Sequence, residues 1–234
     1  PGHTAYPWVF PNDDTVARVG LTMPIGMDLA DVPNREDYKL LRPEDERVPG
    51  GREYVERTLE MAYGDRYDLE DFPLVEDRGK TGGTETYPIS STRPIDSPVG
   101  ANVAVVGGAM GATSAFHEGG DHVAVRTGAI AGELAAAGDL GRYNDAWKRA
   151  IGTEVLRNVA MADLVRDFQP ADWDRAFRLA DRLQALGAEG GITLRRGLAA
   201  AGWSGVKLAA GYQWRKYRFR GGRYVQISED EYAV

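Results

Sequence analysis

The chain has 234 residues, 43% of them hydrophobic, with a formal net charge of -7 and no cysteine. That size and apolar content suffice for a sizeable core in one large domain or two small ones, and the acidic balance argues against a general nucleic-acid binder. Without cysteine these residues hold no disulfide, thiolate zinc site, cysteine nucleophile or cysteine-ligated iron–sulfur cluster.

In chain order, the first pattern is "AYPWVFP", a turn at Asn12-Asp13-Asp14, and then "TVARVGLTM", which together predict a hairpin over residues 5 to 23. Tyr6, Trp8 and Phe10 stand two apart, so a strand projects all three aromatics from one face. A hydrophobic core face has the same spacing. Pro7 withholds a ladder hydrogen bond and suits a sheet edge beside a cavity. From Pro33 to Pro73 charged residues and helix formers dominate, and Tyr54, Val55, Leu59 and Ala62 predict a helix over 52 to 62. "GKTGGT" reads as loop and "ETYPISSTRPI" as an extended edge segment. "NVAVVGG" is a short continuous apolar run of the kind buried on both faces of a central strand.

After Asp121 the pattern turns helical as far as Ala137, where Gly138-Asp139 ends it; Gly128 and Gly132 would let a neighbouring backbone come close. Tyr143, Trp147, Ile151, Val155 and Val159 recur four apart and predict one core-facing helix stripe. Pro170 breaks that helix, residues 171 to 187 make another, and a shorter one covers Thr193 to Ala200. "YRFRGGRYVQI" signals a hairpin turning at Gly221-Gly222. There Arg215, Lys216, Arg218, Arg220 and Arg223 interleave with Trp214, Tyr217, Phe219 and Tyr224. A solvated hairpin, a contact with anionic lipid headgroups and a base-stacking nucleic-acid surface are three readings of that pattern, the last disfavoured by the acidic chain.

The glycines of residues 103 to 138 outnumber what a simple turn needs. Gly107, Ala109 and Ala112 fit a degenerate dinucleotide fingerprint, but no second strand ending in an acidic ribose ligand follows. An ordinary strand–loop–helix is another reading. A third is that two glycine pairs mark two close approaches to one extended ligand: Gly107-Gly108 end a strand, and Gly119-Gly120 open a helix whose free N–H groups and positive dipole end face the same crevice.

The third layout resembles the second FAD-binding segment of the glutathione-reductase-like flavoproteins. The resemblance makes Gly107, Gly108, Gly119, Gly120 and Asp121 the FAD-contacting positions. Gly108 stands where that family usually has aspartate, which removes a charged acceptor for the ribitol. "AYPWVFP" in turn is similar to the Y-x-W-x-F-P signature of the geranylgeranyl reductases, matched at Tyr6, Trp8, Phe10 and Pro11. From this likeness, which covers about residues 1 to 170, we expect an FAD-dependent oxidoreductase that reduces C=C bonds of isoprenoid lipid chains. Tyr6, Trp8 and Phe10 would bind the chain, and a ferredoxin or nicotinamide cofactor would be the external electron donor. No catalytic proton donor is assigned; His117 and His122 are candidates. An electron-transfer-flavoprotein:quinone oxidoreductase without its own iron–sulfur domain is the nearest rival, with a quinone as substrate, and a halogenase or aromatic hydroxylase shares the flavin fold.

The implied fold is mixed α/β and α+β, the C-terminal part of a glutathione-reductase-like FAD-binding fold with an antiparallel substrate-domain sheet and a helical C-terminal region. Residues 1-98 would be the remainder of a substrate-binding domain, 99-138 the returning FAD-binding segment, 139-200 the helical region, and 201-234 a C-terminal hairpin or tail. The family carries its G-x-G-x-x-G unit near the N-terminus and none occurs here, so we expect a fragment that is inactive alone and binds FAD poorly. With no apolar run near ~20 residues and no signal pattern at the start, the expected location is cytoplasmic, with peripheral contact at a membrane surface.

Overall fold

The computed structural model describes residues 6–13, 15–23, 26, 28–32, 35–78, 82–89, 92–188, 194–228 and 231. Helices dominate, with two small antiparallel sheets, and the chain divides into two compact units, His3–Pro88 and Ile89–Val234.

The first unit begins with the expected hairpin, strands β1 (Tyr6–Pro11) and β2 (Ala17–Thr22), in antiparallel register with Trp8 opposite Gly20. The Asp13 carboxylate closes its turn by accepting the N–H groups of Thr15 and Val16. Glycine leaves a bare backbone opposite Trp8, and the indole lies across it, where a Cβ on Gly20 would collide with the ring. Trp8 also stacks on Phe10 at 4.8 Å between centroids, so both rings leave the sheet on one face as the alternation requires. The side chain of Tyr6 lies outside the described residues.

Helix α1 (Gly51–Tyr63) matches the predicted 52 to 62. Its Tyr54 packs with Leu29, Val32 and Leu41 into a small core. Beside that core Arg57 donates to both carboxylate oxygens of Asp45 at 2.7 and 2.6 Å, and to the Leu40 carbonyl at 2.9 Å. Both side chains are only 9% exposed. A buried charge is tolerated only when paired and hydrogen-bonded, and here the pair joins α1 to the irregular segment before it.

The second unit is built on the stripe anticipated in helix α3 (Tyr143–Val165): Tyr143, Trp147, Ile151, Val155 and Val159 are all buried. Met110, Ala112 and Val123 complete that core. Helix α2 (Asp121–Ala136) ends where expected, with Gly138 in the left-handed conformation at φ 70°. Helix α4 (Pro170–Ala188) also follows its prediction. A Cβ on Gly128 or Gly132 would meet nothing within 4 Å, so neither glycine serves the close helix approach expected of it.

Two expectations are overturned. "NVAVVGG" is not a central strand. It supplies one arm of a two-residue hairpin, β3 (Val99–Gly100) against β4 (Val103–Ala104), and Val103 is 61% exposed. Ala101 and Asn102 both adopt positive φ, as the tight turn between such strands requires. The C-terminal stretch is not a hairpin either. The predicted short helix continues as α5 (Leu194–Arg218) across a break at Gly202, carrying Arg215, Lys216 and Arg218 on its last turns, with Arg220 and Arg223 beyond it. Gly221 and Gly222 do turn the chain at φ 67° and 83°, but the following residues run parallel to 94–96, through Gln226 N–H to the Pro94 carbonyl and Asp96 N–H to the Ile227 carbonyl. The Arg93 guanidinium donates to the carbonyls of Arg223, Tyr224 and Val225, so this segment pairs with a part of the chain remote in sequence.

The Arg57 hydrogen bonds, working against burial, hold the Asp45 carboxyl down at about 2. This lies below the ordinary unfolded value of about 3.9. The pair's contribution is therefore complete above about pH 5 and is lost as the pH falls from about 4 through 2. Amide exchange along α1 should accelerate in that window, whereas Asp45→Asn should accelerate it already at neutral pH and remove this part of the acid dependence.

Candidate functional site

From β4 the chain passes Val105 and Val106 into a tight turn over Gly107–Met110, closed by left-handed Gly111 at φ 81°. Two of these glycines are explained by the chain's own packing. Gly107 has φ +57°, and a Cβ there would sit 2.9 Å from the Ala124 Cβ of α2. On Gly111 a Cβ would press on the Arg93 carbonyl. The Gly107 N–H donates to Thr127 Oγ1 at 3.0 Å, and that hydroxyl donates to the Val123 carbonyl at 2.7 Å. Thr127 is fully buried. One hydroxyl thus joins the turn to the second turn of α2.

Gly108 and Gly120 behave differently. A Cβ on Gly108 would lie 3.4 Å from Thr113 Oγ1, and one on Gly120 would lie 3.5 Å from the same atom. One glycine of each pair is thereby brought against one threonine side chain, with ten residues of sequence between the two pairs. Gly120 has φ -125° and ψ -18°, open to other residues, so neither conformation nor packing demands glycine there. Gly119 gives its N–H to His117 Nδ1 at 3.2 Å and accepts from Ser114 N–H. The Ser114 hydroxyl, nearly buried, accepts the N–H groups of Phe116 and His117 and pins the loop before the helix.

No side chain caps α2, and the exposed Asp121 occupies its first turn. The leading N–H groups of a helix have no intrahelical acceptor and carry the positive end of its dipole. Next to this end lies a shallow cleft bounded by Thr113, Ser114, Val123, Ile151, Glu154 and Asn158, which encloses about 10 Å³. That is about the room one water needs, far below the roughly 300–1,000 Å³ of pockets that bury a drug-sized ligand, so a ligand here would lie over the helix end and not inside the cleft.

Glu154 of α3 is the ionisable group of the cleft wall. His122 Nε2 lies 2.5 Å from one of its oxygens, and Arg126 donates to the other at 2.8 Å. Burial would raise this carboxyl, but the bonds from His122 and Arg126 outweigh it and hold Glu154 below the usual glutamate range. The His117 ring stands 5.8 Å from that of His122. The arrangement can therefore receive the electron-rich or anionic edge of a ligand at α2, flanked by two hydroxyls, with an ionised carboxylate and two imidazoles nearby. Among the described residues no group of three or more His, Asp or Glu could hold a metal ion.

Of the five glycine-segment positions singled out in the sequence, Gly107 and Gly119 spend their N–H groups inside the protein, while Gly108, Gly120 and Asp121 lie around the open helix end. Trp8 and Phe10 belong to the first unit and form its aromatic face. Thr113, Thr127 and the Glu154–Arg126 pair were not anticipated. The Ser114 turn has a local signal in "SAFH", a hydroxyl two and three residues before the N–H groups it accepts. Glu154 and Arg126 are 28 residues apart on different helices and have none.

No family model, curated protein or solved structure matches the chain.

Thr127→Val keeps the shape of the side chain and orphans the buried Gly107 N–H, which should cost about 1–3 kcal/mol. Urea denaturation followed by tryptophan emission measures it, and Thr127→Ser, which keeps the hydroxyl, should recover most of the loss.

Proposed function

We propose that this chain forms part of an FAD-dependent oxidoreductase acting on isoprenoid lipid chains, with the turn and helix of residues 107–121 as one side of the flavin site. The observation that carries the reading is the convergence of Gly108 and Gly120 on Thr113 beside the uncapped start of α2. A side chain at either glycine would occupy the approach to the helix end, and neither position needs glycine for its own conformation. The chemistry of the helix start supports a flavin. Backbone N–H groups of Gly120 and Asp121, with the α2 dipole, favour negative charge at the cofactor's edge. The cleft beside the helix encloses only about 10 Å³, so the cofactor would lie across the helix start and be held mainly by other parts of the protein. Bound FAD would supply the hydride chemistry of alkene reduction, taking its electrons from a ferredoxin or nicotinamide donor.

This is the finer fold we propose as well, the returning FAD segment of a glutathione-reductase-like flavoprotein of the geranylgeranyl reductase kind. Gly107 supports the site indirectly, by seating the turn on Ala124. The Trp8–Phe10 face supports the substrate reading. Its rings stack on a two-stranded hairpin, and Phe10 is 56% exposed, an apolar surface suited to a polyprenyl chain. No helix among the described residues is long and apolar enough to cross a membrane.

The protein as its gene encodes it should show a flavin absorbance spectrum and release FAD on denaturation. Gly120→Val should abolish flavin content with the far-UV dichroism unchanged, since a Cβ there makes only ordinary contact with Thr113; unaltered flavin content would remove the assigned site. Trp8→Ala should leave flavin content in place and lower turnover of a geranylgeranyl lipid more than that of a short quinone. A dithionite-reduced enzyme that saturates no such lipid yet reduces soluble quinone belongs instead with the quinone oxidoreductases.

A further inference from the structure

The second half of α5 presents two unlike faces. Gly205, Leu208, Gly211, Tyr212 and Arg215 are buried or half-buried, with Gly211 near Leu164 of α3 and Arg215 Nε bonded to Asp163 at 3.2 Å. Opposite them, Trp203, Val206, Ala210, Trp214 and Tyr217 recur at spacings of three and four, all exposed, with Trp203 at 72%, Trp214 at 59% and Tyr217 at 66%. The break at Gly202, with φ 58° and ψ -166°, starts this helix afresh just before Trp203. At 1.5 Å per residue the aromatic stripe is about 21 Å long.

Cations flank it. Lys207 Nζ lies 5.9 Å from the Trp203 ring centroid, and the Arg218 guanidinium lies 5.7 Å from that of Trp214. Between residues 190 and 228 there are eight Lys or Arg and no Asp or Glu, within a chain of net charge -7. A single-sign segment in an acidic protein, carrying tryptophan and tyrosine on one helix face and long basic side chains beside them, has the charge and shape of a helix lying in a lipid headgroup layer. There indole and phenol rings take the boundary between apolar and wet zones, and Lys and Arg reach the phosphates while their stems cover apolar surface.

We propose that the Trp203–Tyr217 face of α5 docks on an anionic phospholipid surface. The helix lies along the membrane plane, since it is too short of apolar residues to cross. Two copies of this face would bring like charges together, which disfavours self-association. A convex helix face also differs from the grooves that track single-stranded nucleic acid. The proposal rests on α5 alone and is independent of the flavin reading.

The test is co-sedimentation of the 234-residue chain with vesicles of phosphatidylcholine containing one-third phosphatidylglycerol, against vesicles of phosphatidylcholine only. Binding should favour the anionic vesicles and weaken between roughly 0.1 M and roughly 0.5 M salt. The double variant Trp203→Ser/Trp214→Ser, exposed positions whose change should leave the dichroism spectrum intact, should bind roughly tenfold more weakly. Lys207→Gln/Arg218→Gln should weaken binding to anionic vesicles and flatten the salt dependence. Equal binding to both vesicle types, or full binding by the tryptophan variant, overturns the proposal. So does a tryptophan-dependent dimer in sedimentation velocity, or binding to a single-stranded oligonucleotide, when the chain binds no vesicle.

Discussion

Contact between Gly107 and α2 is the constraint on which the second unit's glycine-rich segment depends. A bare backbone at φ +57° lets the strand end touch Ala124, and the Thr127 hydroxyl receives the N–H that this approach would otherwise strand in the core. Everything after follows from that seating: the turn to Gly111, the buried Met110 and Ala112, and the loop that returns at Gly120 beside Gly108. A β-carbon at Gly107 would lift the turn away from the helix and separate the two glycine pairs. The same contact explains why the glycines of this stretch are so many. Some seat the chain on itself, and only the remainder are free to face a ligand.

Helices were legible because their signals are local. The four-apart stripe from Tyr143 to Val159 states both the helix and its buried face, and Pro170 and Gly138 mark ends through backbone restrictions that act within a residue or two. The first hairpin was legible for the same reason. Where reading failed, the deciding partner was distant. Residues 102–108 look like a central strand by apolar content, but the positive φ at Ala101 and Asn102 folds the run back on residues 99–100. Residues 217–227 look like a hairpin, but 217 and 218 end α5, and the partners of 223–227 are Arg93 and 94–96, more than 120 positions away.

The candidate site divides along the same line. Its glycines could be singled out because they recur as pairs in a short stretch, and His117, His122 and Asp121 because they stand beside the second pair. Thr127 could not, since a threonine inside a helix ordinarily returns its hydroxyl to the carbonyl four residues back, as this one does to Val123, and nothing in that habit reveals a second bond to Gly107. The Glu154, His122 and Arg126 cluster needs α2 and α3 side by side before it exists at all. In the first unit the Arg57–Asp45 pair is similar: α1 is periodic in sequence, but the acidic partner comes from an irregular segment with no pattern of its own.

Arg93 gives the second unit a particular order of assembly. Its guanidinium bonds close a loop of about 130 residues, from the first turn of the unit to carbonyls near the end of the chain. During synthesis the helices α2 to α4 can form and pack as they emerge, being made of near neighbours, but residue 93 must wait until residues 223 to 225 have left the ribosome. Contacts of such long range form late and slowly because closing the loop costs entropy before any contact offsets it. Until then the side of 94–96 that takes residues 226 and 227 lacks that backbone partner, and incompletely packed intermediates are the species that recruit other chains. The last residues of the unit therefore act as its closure, and a nascent chain stalled before them would be the form most exposed to aggregation.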